Sequence, residues 1–461
     1  MSASAPTAPL KPAALLTKAG ALGVIIGISA WVNHIAPAEV AFAAPVAALG
    51  LLLLGGDLLA ELVERLKLPH LTGYLLAGVL VGPHVLGTIS ARTVEQLSLV
   101  NALALSLIAL SAGAELTLEL LRRGLGSLVI ATLSQILLAL PLAAASFLLA
   151  RPFLPFLDGM ELPAALGVAL LWGVLSVSRS PAVTLGLIAQ VRPDGPLTRY
   201  SLSLVIAFDI VVLVLFAVAI QVARTLLDPG AGFELSSLAG VGEELIGSIA
   251  AGTTLGLLVV AYLRIVGRQL ILFLVVMSYG VAQFASYFHY DSLLLFVTAG
   301  FVVANVSHQG EKLLEAVSQG GRVVYVLFFA NAGAHLDLPL LGRMWPIALS
   351  LAAARVVATV VAQRVGSRIA KDPEPVRRYG WMPLVSQAGV TLGMVVVLAS
   401  AFADSFGPGL SALAIAVVGL NEAAGPVLFK IALDRAGETG KAGHAGAPAE
   451  SQPAAPQSAP G

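Results

Sequence analysis

The chain has 461 residues, of which 58% are hydrophobic and only 11% charged. A soluble domain carries about 25% charged residues and needs them to cover its surface, and a formal net charge of zero excludes the basic footprint of a nucleic-acid-binding protein. The sequence has no cysteine, which excludes disulfides and cysteine-based sites. Its long apolar runs differ from the alternating strands of about ten residues in membrane β-barrels, so we predict an all-α polytopic membrane protein.

Fourteen apolar runs are candidates for membrane helices of about 20 residues. Their bounds lie near 17–34, 39–58, 70–83, 96–114, 126–148, 162–190, 200–222, 240–262, 269–287, 291–307, 321–337, 344–364, 380–403 and 408–432. The N-terminal segment 1–38 holds an extra helix or a cleaved signal-like segment, because Lys11 and Lys18 precede its apolar run and Ala41-Phe42-Ala43 resembles a cleavage site. We expect a transmembrane domain over 39–435 and a disordered cytoplasmic tail over 436–461, which is rich in Ala, Gly, Pro and Ser.

The basic residues orient these spans. With a cytoplasmic N-terminus, 20 of the 26 Lys and Arg residues fall in cytoplasmic segments and only four fall outside, at Arg92, Arg151, Arg224 and Arg343. Short cytoplasmic loops are enriched in Lys and Arg. The pattern predicts that both termini are cytoplasmic, and it leaves Arg179 and Arg355 inside spans.

Two pairs of segments recur along the chain. Residues 77–82 resemble 299–304, and residues 112–118 resemble 332–338, at offsets of 222 and 220 residues. Each pair lies seven spans apart, so the copies have opposite orientations, as in the inverted repeats of secondary transporters. We expect spans two to seven and nine to fourteen to form two inverted six-helix repeats joined by span eight. Chance similarity among common membrane residues is the alternative.

Spans six and thirteen, which are equivalent in these repeats, each contain a helix-breaking sequence. Proline lacks a backbone N–H and disfavours helix in the preceding residue, and both spans contain one. Broken helices free backbone groups for ion coordination near the midplane. The candidate coordinating positions are Ser178, Ser180 and Pro181 in span six, and Ser386, Gln387 and Gly389, next to Pro383 and Ala388, in span thirteen. Simple kinks are the alternative.

Three ionisable residues within spans are the main functional candidates. Asp209 is central in span seven, where a charge costs about 2.5–3.5 kcal/mol on insertion scales and is a functional candidate by default. We predict that Asp209 binds a proton and a small cation in turn. The alternative is a structural aspartate that is permanently paired. Arg355, central in span twelve, needs an acidic or carbonyl partner. We expect it to be the counter-charge of Asp209 or a brace for broken-helix carbonyls, and we expect Arg179 to satisfy carbonyls of the opposite broken helix.

Several motifs resemble those of the monovalent cation:proton antiporter family 2, the sodium/hydrogen exchanger-like transporters, over about residues 40–435. They are Leu68–Gly78 with Gly82-Pro83 and Leu86-Gly87, Ala112–Leu116, Phe328-Phe329 with Gly333, and Asn421 with Gly425-Pro426. The resemblance implies thirteen core helices in two inverted repeats, with spans six and thirteen as crossing broken helices and span one as an extra helix. It also implies an ion-carrying core that moves against a dimerising panel, an ion- and proton-binding role for Asp209, and Arg355 as the family's characteristic basic residue.

The chain departs from the family pattern at two positions. Phe208 stands before the aspartate where the family usually has a polar residue, so the second carboxylate of electrogenic members is missing and exchange is expected to be electroneutral. Arg179 lies in a Ser-Arg-Ser-Pro sequence where the family often has Thr-Asp or Ser-Thr, which places a fixed positive charge, a second counter-charge, beside the site.

The sequence therefore predicts a secondary transporter that exchanges Na⁺ or K⁺ for H⁺ by alternating access at Asp209. We expect a homodimer in the lipid bilayer of a bacterial cytoplasmic membrane, with no cofactor, no resident metal and no nucleic-acid partner. The alternatives are a transport-inactive sensor or scaffold, disabled by Phe208 and Arg179, and an organic-solute carrier on the same fold. An enzyme is not expected, because the sequence has no nucleophile elbow, P-loop or metal-spaced histidine cluster.

Overall fold

The computed structural model describes residues 43–439, apart from 67, 117, 228–234, 289, 308 and 388. It also describes residues 20, 23, 24 and 27. All regular secondary structure within these residues is helical. The expected N-terminal segment 1–38 and most of the expected tail 436–461 lie outside the described residues.

Seventeen α-helices follow one another in the described part of the chain. They are α1 Ala43–Glu64, α2 His70–Val81, α3 Ala91–Gln96, α4 Ser98–Glu115, α5 Leu118–Ser134, α6 Leu140–Ala150, α7 Leu162–Val177, α8 Pro181–Val191, α9 Pro196–Leu227, α10 Leu235–Ile265, α11 Leu270–Phe288, α12 Ser292–Ser307, α13 Gly310–Ala334, α14 Leu338–Ile369, α15 Glu374–Tyr379, α16 Gly389–Ala401 and α17 Gly407–Ala436. A π-helical turn, Gln135–Ala139, joins α5 to α6 just before Pro141, which has no N–H to donate to the preceding turn.

Thirteen of the expected spans can be compared with these helices. Within the described ranges, eight helical segments are long and apolar enough to cross a membrane, namely α1, α5 with α6, α7 with α8, α9, α10, α11, α14 and α17. Shorter apolar helices lie at α2, α12, α16 and within α4 and α13. A helical segment thus coincides with every span expected after residue 39, which confirms the all-helical, polytopic class.

Local sequence explains several helix ends. The side chains of Ser90, Ser180 and Asp337 each accept a hydrogen bond from the backbone N–H three residues later, so these residues act as N-caps. At the other end of the chain, Gly437 follows α17 with a φ of 66°, the left-handed conformation that commonly terminates a helix.

The helices form two groups, which we call the panel (residues 43–115 and 235–334) and the core (residues 118–227 and 338–436). One large cluster of buried apolar side chains lies wholly within the core. Another joins the panel to α8, to the first turns of α9 and to the end of α17. Helices α8, α9 and α17 are therefore the part of the core that packs against the panel.

Inside the panel, glycines bring two helix pairs into backbone contact. Helix α2 packs on α13, and α4 packs on α12. A Cβ on a glycine of each helix would overlap a backbone carbonyl of its partner, at Gly78 against Ala330, Gly333 against Leu75, Gly113 against Val297, and Gly300 against Leu110. Small residues allow such close crossings in membrane helices. These four glycines all lie in the recurring sequence segments.

Candidate ion-binding site

Two interrupted helices meet inside the core. Helix α7 ends at Val177, an extended segment covers 178–180, and α8 begins at Pro181, where the Ser180 hydroxyl accepts a hydrogen bond of 3.2 Å from the Val183 N–H. The second interruption lies between a 3₁₀ turn, Met382–Leu384, and α16. The two are joined directly, since the Ser180 N–H donates to the Ser386 carbonyl at 3.1 Å.

The second interruption differs from the simple helix–break–helix form expected for span thirteen. A single 3₁₀ turn, rather than a membrane-length half-helix, precedes the break. The physical reason is Pro383, which has no N–H and constrains Met382 before it. The proposed coordinating residue Gly389 is the first residue of α16, whereas the neighbouring Ala388 lies outside the described residues.

Side-chain hydrogen bonds hold the crossing together. Thr391 Oγ1 donates to Ser178 Oγ at 2.9 Å, and Gln387 Nε2 donates to the Leu175 carbonyl at 2.7 Å. The other end of the Gln387 amide accepts from Asn421 Nδ2 at 2.8 Å, which adds α17 to the assembly. Ser386 Oγ, by contrast, is buried and has no hydrogen-bond partner.

Arg355 lies between the two interruptions and is only 1% exposed. Its guanidinium donates to backbone carbonyls of both broken helices. On the first, Nε donates to Ser176 at 2.7 Å and Nη2 to Ser178 at 3.0 Å. On the second, Nη1 donates to Val385 at 2.7 Å and Nη2 to Leu384 at 3.4 Å. The last carbonyls of a helix lack intrahelical donors and carry partial negative charge. Of the two partners considered for Arg355, the structure therefore has the carbonyls, and no ion pair joins Arg355 to Asp209 within the described residues.

Arg179 is also buried, and its contacts differ from those expected. Its Nη1 donates to the carbonyls of Ser176 at 3.3 Å and Ser178 at 3.2 Å, and its Nη2 donates to Gln135 Oε1 at 2.6 Å. The carbonyls thus belong to its own broken helix, not to the opposite one. The correction follows from its position directly after Ser178, which lets the side chain fold back onto the end of α7 and reach the π-helical turn that begins at Gln135.

Asp209 lies on α9 where the core meets the panel. It is 6% exposed, and one of its carboxylate oxygens is buried without a hydrogen-bond partner. Ile206, one turn earlier, packs in the cluster that includes the panel, while Phe208 and Val212 pack in the core cluster. The carboxylate therefore sits at the boundary between the two groups of helices.

The acidic group that acts electrostatically on Asp209 is Asp291, which belongs to the panel. Asp291 precedes α12, where its Oδ1 accepts a hydrogen bond of 2.6 Å from the Leu294 N–H. Its own N–H donates to Ser248 Oγ on α10 at 2.9 Å. Sequence reasoning missed this residue, because an aspartate at the edge of a span looks like an ordinary helix cap and only the three-dimensional packing brings it near Asp209.

Apolar helices, two unwound segments that meet inside the core and a buried carboxylate on α9 are typical of secondary transporters. A family model described as "Sodium/hydrogen exchanger, transmembrane" matches residues 48–433. The chain belongs to this family, which confirms the resemblance seen in the motifs. The family consists of transporters and not of enzymes.

Solved structures give the same assignment of fold. The chain is similar to the sodium proton antiporter MjNhaP1 from Methanocaldococcus jannaschii, with a TM-score of 0.58 to its structure at pH 8 and 0.65 to a structure from an electron-microscopy map. In both cases the sequence identity is 16%, and the match covers 85% of this chain and 96% of the other. A comparison with curated proteins gives no match.

Proposed function

We propose that this protein exchanges a monovalent cation, Na⁺ or K⁺, for H⁺ by alternating access, and that Asp209 carries the two in turn. The observation that supports the proposal is the buried Asp209 carboxylate, which has an oxygen without a partner at the boundary between core and panel. Such a group is costly while it is ionised and unpaired. Binding of either a proton or a cation removes that cost, so the two compete for one carboxylate.

We further propose that the exchange is electroneutral. The residue before Asp209 is Phe208, which adds no second carboxylate there. Glu422, buried on α17 next to Asn421, keeps the same protonation state throughout the proposed cycle. Arg355 and Arg179 donate to carbonyls and to Gln135, so their positive charges are the same whether Asp209 binds a proton or a cation. One proton and one cation then replace each other at equal charge.

In the same mechanism, the crossing supplies neutral oxygen ligands to the cation. Ser386 Oγ is the first candidate, because it is buried and has no partner. Ser178, Ser180 and Gln387 already make hydrogen bonds at the crossing, so they coordinate only if those bonds exchange as the core moves. Arg355 and Arg179 act as counter-charges to the carbonyls that the two interruptions expose.

The architecture that we propose around this site has thirteen core helices over 39–435, built as two inverted repeats, plus one N-terminal helix and a cytoplasmic tail. The glycine contacts support the repeat, because exchanging equivalent helices converts the pair α2 and α13 into the pair α12 and α4. The loop distribution of Lys and Arg supports cytoplasmic termini. From the family resemblance we also propose that the protein forms a homodimer through the panel and lies in a bacterial cytoplasmic membrane.

A flux assay tests the proposal. Purified protein is reconstituted into liposomes that contain a pH-sensitive dye, and an inward gradient of Na⁺, K⁺ or choline is applied. We expect alkalinisation of the lumen with Na⁺ or K⁺, and loss of this signal in Asp209→Asn but not in Asp404→Asn, where the aspartate is exposed. Unchanged flux in Asp209→Asn contradicts the site, and no flux in the folded wild-type protein favours a scaffold. Imposing a membrane potential leaves an electroneutral flux unchanged.

A further inference from the structure

Four side-chain oxygens at one end of the core are buried and have no well-formed hydrogen bond. They are Ser127 Oγ on α5, Tyr200 Oη on α9, Gln363 Oε1 on α14 and Asp372 Oδ2 in the loop between α14 and α15. Tyr200 is 7% exposed, Gln363 1% and Asp372 8%. The distribution of Lys and Arg assigns this end of the core to the cytoplasm.

Packing brings the four residues to one place. Tyr200 lies in a small apolar cluster with Leu128 and Val376. Ser127 precedes Leu128, and Gln363 Nε2 donates to the Val376 carbonyl at 2.6 Å. The Asp372 N–H donates to the Ser367 carbonyl at 2.9 Å, which folds the loop back over the end of α14. The Tyr200 hydroxyl lies within hydrogen-bonding reach of the Gln363 side chain, and the Ser127 hydroxyl lies within reach of the Asp372 carboxylate. Neither pair has the geometry of a well-formed hydrogen bond.

The donor chemistry of this group, which we call the oxygen cluster, is that of a hard cation. The Gln363 amide is oriented by its bond to Val376, so its free end is the carbonyl oxygen. A carboxylate, an amide oxygen and two hydroxyl oxygens thus lie in one buried group, and oxygen ligands of this kind select alkali and alkaline-earth ions.

The charges favour a monovalent ion. Asp372 is the one carboxylate of the oxygen cluster, and it forms no ion pair with any Lys or Arg in the described ranges. Burial raises the pKa of its carboxyl, so ionisation without a counter-ion is unfavourable there. Arg179 also acts electrostatically on Tyr200, but it donates to Gln135 and to two carbonyls. A divalent ion usually takes several carboxylates, whereas one carboxylate balances one alkali cation.

We propose that the oxygen cluster binds one Na⁺ or K⁺ ion at a site separate from Asp209. The ion joins α5, α9, α14 and the following loop, and so fastens the end of the helix that carries Asp209. It is a resident ion that stabilises the core, and it is not exchanged in the transport cycle.

Thermal unfolding of the full chain in detergent tests this site without depending on transport. All variants carry Asp209→Asn, which removes the proposed transport site, and Tm is measured as NaCl or KCl replaces choline chloride at constant ionic strength. We expect Tm to rise with Na⁺ or K⁺ because the ion binds the folded state. Adding Asp372→Asn abolishes the rise, and Tyr200→Phe raises the half-maximal cation concentration by about tenfold.

The control is Asp404→Asn in the same background, which keeps the wild-type cation response. If Asp372→Asn does not yield folded protein, Tyr200→Phe retains the ring packing and decides the question. A Tm that does not depend on cation in the Asp209→Asn protein, or a cation response that neither substitution changes, overturns the proposal and leaves the oxygen cluster as a hydrated or internally hydrogen-bonded group. Either outcome is independent of whether the wild-type protein catalyses exchange in liposomes.

Discussion

Replacing Arg355 by methionine tests whether this arginine stabilises the core through the broken-helix carbonyls or through the Asp209 carboxylate. Methionine keeps a long apolar side chain but removes all donors from the crossing. The Ser176 and Ser178 carbonyls retain Arg179 as a donor, whereas the Val385 and Leu384 carbonyls lose their side-chain donor. A buried carbonyl left without a partner costs about 1–3 kcal/mol.

The magnitude follows from these two carbonyls. The bond to Leu384 is long, at 3.4 Å, so its loss lies at the lower end of that range, and the bond to Val385, at 2.7 Å, lies nearer the upper end. Removing the guanidinium also removes its own desolvation cost, which offsets part of the loss. We therefore expect Arg355→Met to lower the free energy of unfolding by about 2–4 kcal/mol.

The assay is reversible unfolding in mixed micelles titrated with SDS, together with hydrogen exchange measured by mass spectrometry. Exchange should increase most around residues 384–387, because the second interruption loses its donors. The matched control is Arg343→Met, which removes an exposed arginine near the start of the same helix and should change stability little.

A double-mutant cycle between Arg355→Met and Asp209→Asn gives the refuting result. Because no direct contact joins the two residues in the described structure, the coupling energy should stay within about 0.5 kcal/mol. A coupling of about 2 kcal/mol or more would show that Arg355 balances the charge of Asp209, and the carbonyl account of its stability would then be wrong.

Three further outcomes are expected. Asp291→Asn removes a negative charge that acts on Asp209 and should raise the half-saturating cation concentration for exchange, whereas Asp337→Asn, which also removes a capping aspartate, should not. Gly78→Ala forces a Cβ onto the α13 backbone and should cost about 1–3 kcal/mol in micelle unfolding, and Gly124→Ala, which meets open space, should be neutral by the same measurement. Because burial raises the pKa of the Asp372 carboxyl above 3.8, the unfolded chain releases this proton first as pH rises. Stability in cation-free buffer should then fall with rising pH between the two pKa values. Tm measured against pH should show this slope, and an identical slope in Asp372→Asn contradicts the assignment.

The helical class was predictable because apolar runs of membrane length have few other structures available to them. The positions of the two interruptions were predictable for a similarly local reason, since Pro181 and Pro383 act on the residues directly before them. The same reasoning stopped short at span thirteen, where sequence does not show that the chain before the break forms only a 3₁₀ turn.

Contacts between distant residues were not predictable from the sequence. Arg355 reaches a carbonyl 179 positions away, and Glu438 accepts hydrogen bonds from Leu197 and Thr198, 241 and 240 positions away. Sequence indicates that a buried guanidinium needs acceptors, but not which ones, because carbonyls and carboxylates satisfy it equally well. Asp291 shows the same limit, since its role as a cap is local and its proximity to Asp209 arises only from the packing of the panel against the core.

The position of Arg355 bears on how one aspartate can serve two ions. If a guanidinium were paired with Asp209, each cation and each proton would have to displace that pair, at the cost of leaving a buried arginine without a partner. Arg355 is instead held by carbonyls of both interruptions, so in the proposed exchange neither ion has to displace it from Asp209. The proposed competition between proton and cation then depends on the Asp209 carboxylate and its neutral oxygen neighbours, and the arginine fixes the geometry of the crossing without entering the exchange.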